Sequence, residues 1–283
     1  EATMICRPSK RNRSPYVADI DINGREAIAH VPNLDMGGKC VPGATIKVKP
    51  AVDKKGNPVG PNAVSPKYDT PKCEFITQLL HVDESNITGL YKPTWVGAHP
   101  SLGERIVQAW LARNIIPSIP AFTQIQREFV NPCGASMRSD FVGTAGSRHI
   151  VEVKTVVDTD YCADYPADVK CLFTSDTKPY KRTAIFPCGN SNQKGPDGEK
   201  VVSARAINHI RELTSIAQGK KTENGERFTA TVVFVVIRDD AVAFEPNYRA
   251  CPSFCRYLKA AHDVGVNLVA KKVRWEGGKC VSD

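Results

Sequence analysis

Hydrophobic and polar positions change rhythm about a third of the way along the chain. Up to Val82, apolar side chains come in short runs separated by turn formers. Tyr16 to Ile22 reads as a strand, Asn23-Gly24 as a hairpin turn and Arg25 to Val31 as the returning strand. Pro32 to Lys39 is a glycine-containing loop and Ala44 to Val48 another short strand. Lys54 to Pro66, rich in Pro, Gly and Asn, is a flexible loop, and Phe75 to Val82 closes the set. Short strands at this spacing predict a small β-barrel.

From Ser101 the pattern becomes helical. Ser101 is placed to N-cap a helix, with Glu104 completing a capping box, and Ile106, Val107, Trp110 and Leu111 fall at helical spacing. Ile125 to Phe129, Met137 to Val142 and Ile150 to Val157 read as strands. A second helix runs from Ser203 through Ile207, Ile210, Leu213 and Ile216. Thr229 to Ile237 is an almost unbroken run of β-formers, which suits a strand buried on both faces. A third helix over Cys251 to Val264 and a strand over Leu268 to Val273 complete an α/β order. The long polar interruption from Asp158 to Val202 reads as loops inserted into a compact fold. The expected organisation is a barrel over residues 1–82 followed by an α/β domain over 83–283.

Composition narrows the class. The 283 residues suffice for one large or two modest domains, and 41% hydrophobic content allows a packed core. The longest apolar runs, Thr231 to Ile237 and Val264 to Ala270, fall far short of the roughly 18 residues of a membrane span. Lys and Arg total 38 against 30 acidic residues, a formal charge of +8, which suggests an anionic partner, nucleic acid first. A five-stranded barrel with a basic face is a common nucleic-acid module. The ten cysteines contain no C-x-x-C pair, and Cys251, Cys255 and His262 lack a fourth ligand at zinc-site spacing. Scattered reduced thiols point to an intracellular compartment, so the acceptor pattern Asn86-Ile87-Thr88 is discounted as a glycosylation site. The first residue is Glu, so a processed chain is expected, with a plastid or mitochondrion among its destinations.

The strongest local constellation is Ser136 to Phe141, a turn over Gly143 to Ser147, and His149 to Lys154. Strand alternation puts Glu152 and Lys154 on one face, with Val151 and Val153 on the other. A hairpin brings Asp140 across to the first face. Paired carboxylates beside an ammonium suit a hard cation such as Mg²⁺, which takes one or two protein carboxylates plus water and phosphate. A D…ExK arrangement of this kind builds a metal-dependent phosphodiesterase; the alternative is a cross-strand ion pair on a solvated face. The string [DE]-x-K also occurs at Asp53, Asp168 and Asp176, but only the match at Glu152 lies in an apolar strand downstream of an Asp at hairpin distance.

Several segments resemble the sugar fermentation stimulation protein family: Arg138-Ser139-Asp140-Phe141 with Glu152-Val153-Lys154-Thr155-Val156, and Asp19 with His30-Val31-Pro32-Asn33. Met36-Gly37-Gly38, Pro42-Gly43, Ile185-Phe186-Pro187 and the helix Ser203 to Leu213 are also similar, in family order. The resemblance implies an oligonucleotide-binding-type barrel joined to a restriction-endonuclease-like domain of the PD-(D/E)xK kind. It implies DNA binding, DNA more than RNA, and a nuclease centre using Mg²⁺ or Mn²⁺. Carried over by position, Asp140 and Glu152 would hold the metal, Glu104 would add an outer ligand, and Lys154 would position the attacking water. Arg205 and His209, four apart on one helix, would face the cleft and touch phosphate, with Arg138 as a further nucleic-acid contact.

The chain departs from the family where Cys188 follows Phe186-Pro187 in place of Asp, and where Ala206 and Asn208 stand in the helix. Tyr165-Pro166-Ala167-Asp168 is a poorer stand-in for the Phe-Pro-Asp element. Insertions at about 158–181 and 189–200 flank the expected cleft and offer surfaces for protein partners. Two other functions fit these departures: a nucleic-acid-binding regulator without turnover, and a structural subunit of a larger organellar assembly.

Overall fold

The computed structural model describes residues 1–33, 36–84, 92–162, 164, 173–189 and 193–281. Five strands close into a barrel: β1 (Ala2–Cys6), β2 (Val17–Ile22), β3 (Arg25–His30), β4 (Thr45–Pro50) and β5 (Phe75–Val82). The first three form an antiparallel meander, β4 pairs antiparallel with β1 and β5, and a short parallel pairing of β3 with β5 closes the ring. Asn23 (φ 56°) and Gly24 (φ 77°) both take left-handed conformations, as the tight turn between β2 and β3 requires. Alternate residues Ala2, Met4, Ala18, Ile20, Ala27 and Ala29 fill the interior, and their small size lets so narrow a barrel close. Strand β1 carries no turn signal ahead of it and was not expected. Strand β6 (Thr94–Gly97) pairs with β5, so the chain beyond Val82 still contributes to the barrel's sheet.

The mixed α/β remainder begins with α1 (Ser101–Ala112), β7 (Gln124–Val130), β8 (Arg138–Ala145) and β9 (Ser147–Val156). Five short strands follow: β10 (Tyr161–Cys162), β11 (Thr174–Ser175), β12 (Thr183–Phe186), β13 (Gln193–Lys194) and β14 (Lys200–Val201). Then come α2 (Ala204–Ala217), β15 (Thr229–Val236), β16 (Ala243–Pro246), α3 (Pro252–Asp263), β17 (Asn267–Lys272), β18 (Arg274–Glu276) and β19 (Lys279–Val281). The central sheet has the order β17-β15-β9-β8-β7, with β15 parallel to β9 and β17 and the β7-β8-β9 edge antiparallel. Strand β15 is buried along almost its whole length, as its uninterrupted β-formers predict. No helix among the described residues is long and apolar enough to cross a membrane.

Two apolar clusters flank the sheet. One joins the barrel interior to α1 and the Val151, Val153 and Val233 face; the other packs α2 and α3 on the Ile150, Val156 and Val232 face. The barrel and the α/β part therefore share one continuous core, with α1 wedged between them. Asn86-Ile87-Thr88 and Tyr165-Pro166-Ala167-Asp168 lie outside the described residues.

Two local expectations are corrected. Ser101 is the first helical residue rather than the cap; its hydroxyl meets His99 Nδ1 at 2.8 Å, Pro100 takes the cap position, and no side-chain cap bond forms. The capping box is absent, and Glu104 is left for other contacts. The turn expected over Gly143 to Ser147 shrinks to Gly146 (φ 76°), because β8 and β9 stay paired to Ala145 and Ser147.

Helix α1 approaches β9 through Gly103, where an added Cβ would lie 2.2 Å from Thr155 Oγ1. Gly103→Ala is expected to destabilise the protein by about 1–3 kcal/mol, because Thr155 must give up its hydrogen bond to the Pro100 carbonyl to make room. Urea unfolding of the variant against the parent measures this.

Candidate active site

The sheet forks at the candidate site. Strands β8 and β9 are paired from Ala145↔Ser147 to Phe141↔Val151, and the ladder stops there. In place of the next rung, Asp140 Oδ2 accepts the Val153 N–H at 2.6 Å. That bond holds the Asp140 carboxylate over β9, beside Glu152, while β9 stays in register with β15 through Glu152↔Val232. Val151 and Val153 enter the α1-side cluster and Ile150 and Val156 the opposite one, so Glu152 and Lys154 project towards α2 as strand alternation predicts.

Glu152 is only 2% exposed, which excludes a solvated surface ion pair. Its Oε1 is engaged twice, by the Lys154 ammonium and by His209 Nδ1 at 2.6 Å. Its Oε2 is buried and has no hydrogen-bond partner among the described residues. A bare carboxylate oxygen in the interior is costly, and a cation or donor brought to it would relieve that cost. Burial pushes the Glu152 carboxyl up, but the charge of Lys154 and the hydrogen bond from His209 outweigh it and hold the group below its ordinary range. Asp140 goes the other way: burial, then repulsion from Glu152, pushes it up to about 7, with Glu104 adding a smaller push.

The other expected residues distribute unevenly. Glu104 lies near enough to act on Asp140 and stands 4.0 Å from Arg127. No three His, Cys, Asp or Glu side chains among the described residues converge as a metal-binding group, so Glu104 is not gathered with Asp140 and Glu152 into one ligand set. The residues present still suit a hard cation, which takes one or two carboxylates and fills its shell with water. Arg205 is exposed on α2, and Arg138 pairs with Glu128 at 3.5 Å on the surface. His209, expected to face the cleft and touch phosphate, has its ring buried against Glu152, while Arg205, four residues before it, is exposed. The signal was available, since Ala206, His209 and Leu213 fall on one helical stripe and the other two are core residues. Cys188 follows the Phe186-Pro187 bond at the end of β12 and is partly exposed.

The basic stretch from Arg7 to Arg13 forms a loop between β1 and β2. Buried Asp19 accepts Ser9 Oγ at 2.6 Å and the Lys10 N–H at 2.8 Å, while Ser9 Oγ accepts the Arg11 and Asn12 N–H groups. Burial raises the Asp19 carboxyl, yet these donors hold it below its ordinary value. The loop therefore holds Lys10, Arg11 and Arg13 exposed at the barrel's end.

A closed five-stranded barrel joined to a mixed α/β fold, with a forked sheet carrying buried carboxylates, defines the class. Residues 196–279 match the family model described as SfsA, sugar fermentation stimulation protein RE domain; the match includes α2 but begins after Asp140, Glu152 and Lys154. A sugar fermentation stimulation protein homolog of Synechococcus elongatus is 27% identical over 257 residues, covering 89% of this chain and 81% of the relative. Its counterpart in Thermosynechococcus vestitus is 26% identical over 268 residues, covering 94% and 85%. Among solved structures, Pyrococcus furiosus SfsA in complex with Ca²⁺ superposes with a TM-score of 0.65 at 17% identity, covering 99% of this chain and 91% of that one. The chain is thus similar to sugar fermentation stimulation proteins over nearly its whole length, with the family model itself matching residues 196–279.

Proposed function

We propose that this protein is a divalent-metal-dependent nuclease of the PD-(D/E)xK kind that binds nucleic acid through its barrel and the cleft beside α2. The observation that carries this reading is the buried Glu152 Oε2, without a hydrogen-bond partner among the described residues, next to Asp140 and Lys154. Asp140 and Glu152 would hold the cation, Mg²⁺ or Mn²⁺ in the working enzyme, and the solved relative's complex with Ca²⁺ supports a hard divalent ion. When bound, such an ion supplies Lewis acidity towards a phosphodiester and its attacking water. His209 keeps Glu152 in one orientation, a positioning role. Lys154 offers its ammonium to the negative charge that grows on the phosphoryl oxygens in the transition state. Glu104 adds negative potential at Asp140, and Arg138, Arg205, Lys10, Arg11 and Arg13 are exposed cations placed for phosphate contacts.

A second reading, a nucleic-acid-binding regulator without turnover, is favoured by one observation. Lys154 and His209 both sit on Glu152 Oε1, so two cationic or donor groups already neutralise much of that carboxylate. The two readings separate in calorimetry with Mg²⁺ and Mn²⁺, combined with cleavage assays on single- and double-stranded DNA and RNA. Lys154→Ala is expected to retain the cation while lowering kcat roughly a hundredfold, since the ammonium acts mainly in the transition state. Absence of both cation binding and cleavage in the parent protein selects the second reading.

A further inference from the structure

On the far side of α1 from Asp140 and Glu152 lies a cavity of about 530 Å³, walled by the barrel strands β4 and β5, by α1, and by the hairpin β18–β19. Its size is that of a small-molecule site. Leu102, Ile106, Ala109 and Arg113 form one stripe of α1, and at 100° per residue Glu104 projects from nearly the opposite side of the helix. The cavity is therefore separate from the candidate metal centre, and its occupant is independent of the nuclease reading.

Its lining combines two chemistries. Trp275, partly exposed, supplies flat apolar surface and is fixed by donating Nε1–H to the Ile237 carbonyl at 2.9 Å; Trp110 lies buried behind the lining. Arg105, Arg113 and Lys47 supply three positive charges, and no Asp or Glu among the described residues lines the cavity. Lys47 pairs with the exposed Glu1 at 3.3 Å. Arg105 and Arg113 are exposed and make no ion pair among the described residues; Arg113 spends only its Nε, on the Ala109 carbonyl. Two guanidinium groups without a carboxylate beside an aromatic wall match a phosphate joined to a planar ring, since guanidinium binds phosphate through paired N–H donors and indole stacks on bases. We propose that this cavity binds a small organic phosphate with a planar body, of the class of a nucleoside monophosphate.

The test uses the full chain, titrated calorimetrically with AMP, GMP, CMP, UMP and the matching nucleosides. In parallel, alkylation of Cys280, an exposed thiol in the cavity wall, is followed by peptide mapping. The expected result is saturable binding of at least one nucleotide with Kd below about 1 mM, and protection of Cys280 by that nucleotide. Its nucleoside should bind at least about tenfold more weakly, and Arg105→Ala and Arg113→Ala should each weaken the nucleotide by about tenfold. Ala109 is an exposed lining residue, so Ala109→Glu puts a carboxylate into the cavity without disturbing the core and should remove binding. Thermal unfolding of each variant at the parent's temperature excludes loss of fold as the cause. The proposal is overturned if no nucleotide saturates by about 10 mM, or if Ala109→Glu binds as the parent does. It is also overturned if a thymidine oligonucleotide protects Cys280 at lower concentration than every mononucleotide, which would make the cavity part of a track for a nucleic-acid strand.

Discussion

Asp140→Asn should abolish divalent-cation binding and lower cleavage by about a thousandfold, while leaving the metal-free protein at least as stable as the parent. The asymmetry follows from the contacts. The carbonyl oxygen of the substituted amide can still accept the Val153 N–H, so the fork between β8 and β9 is kept. What disappears is a negative charge buried beside Glu152 and Glu104, and with it their mutual repulsion. Glu152→Gln would be a poor test of the same idea. It leaves the Lys154 ammonium in a nearly closed environment without its carboxylate, and disturbs the His209 contact, at an expected cost of about 3–5 kcal/mol. Loss of activity in that variant would mix site chemistry with unfolding. Calorimetry with Mn²⁺ and urea unfolding, run on both variants, separate the two effects. Retained cation binding in Asp140→Asn would remove Asp140 from the site.

The largest stability effect is expected at a buried charge cluster away from the site. Arg182 Nη1 donates to Glu84 Oε2 and, at 2.8 Å, to Asp240 Oδ2. Arg238 pairs with Asp240 at 2.6 Å, and Lys39, from the barrel, pairs with Glu84. Arg182 is 2% exposed and bridges the two carboxylates, so Arg182→Met is expected to destabilise by about 3–5 kcal/mol by leaving their mutual arrangement short of a cation. Burial pushes the Asp240 carboxyl up, but the bidentate Arg238 and the Arg182 charge prevail and hold it at about 2. A carboxyl lowered on folding stabilises in full above its unfolded value, near 4, and loses that contribution as pH falls through about 2. The stability gap between the parent and Asp240→Asn should thus be constant from about pH 5 to 7 and close between about pH 4 and 2, as urea unfolding at each pH can check. A gap that widens on acidification would reverse the sign of the assignment.

Local pattern and short spacings carried much of the architecture. The Asn23-Gly24 turn, the period-two run through β9, the apolar stripe of α2 and the unbroken β-formers of β15 each encode their own conformation within a few residues. Alternation alone put Glu152 and Lys154 on one face, because the side-chain period of a strand is fixed by its backbone. The sequence did not disclose β1, β6 or the C-terminal hairpin, whose few residues gain stability from strands distant in the chain. Nor did it disclose that Ser101 leaves the cap to Pro100, that Asp19 organises a basic loop, or that His209 turns inward onto Glu152. Asp140 meets the Val153 N–H and His209 meets Glu152 across 13 and 57 residues of chain. Such contacts are decided by which buried polar atoms find partners once the sheet and helices have packed. Only the tertiary structure could decide them, because burial converts an unpaired carboxylate from a solvated group into a costly one, and burial is not a property of any short stretch of sequence.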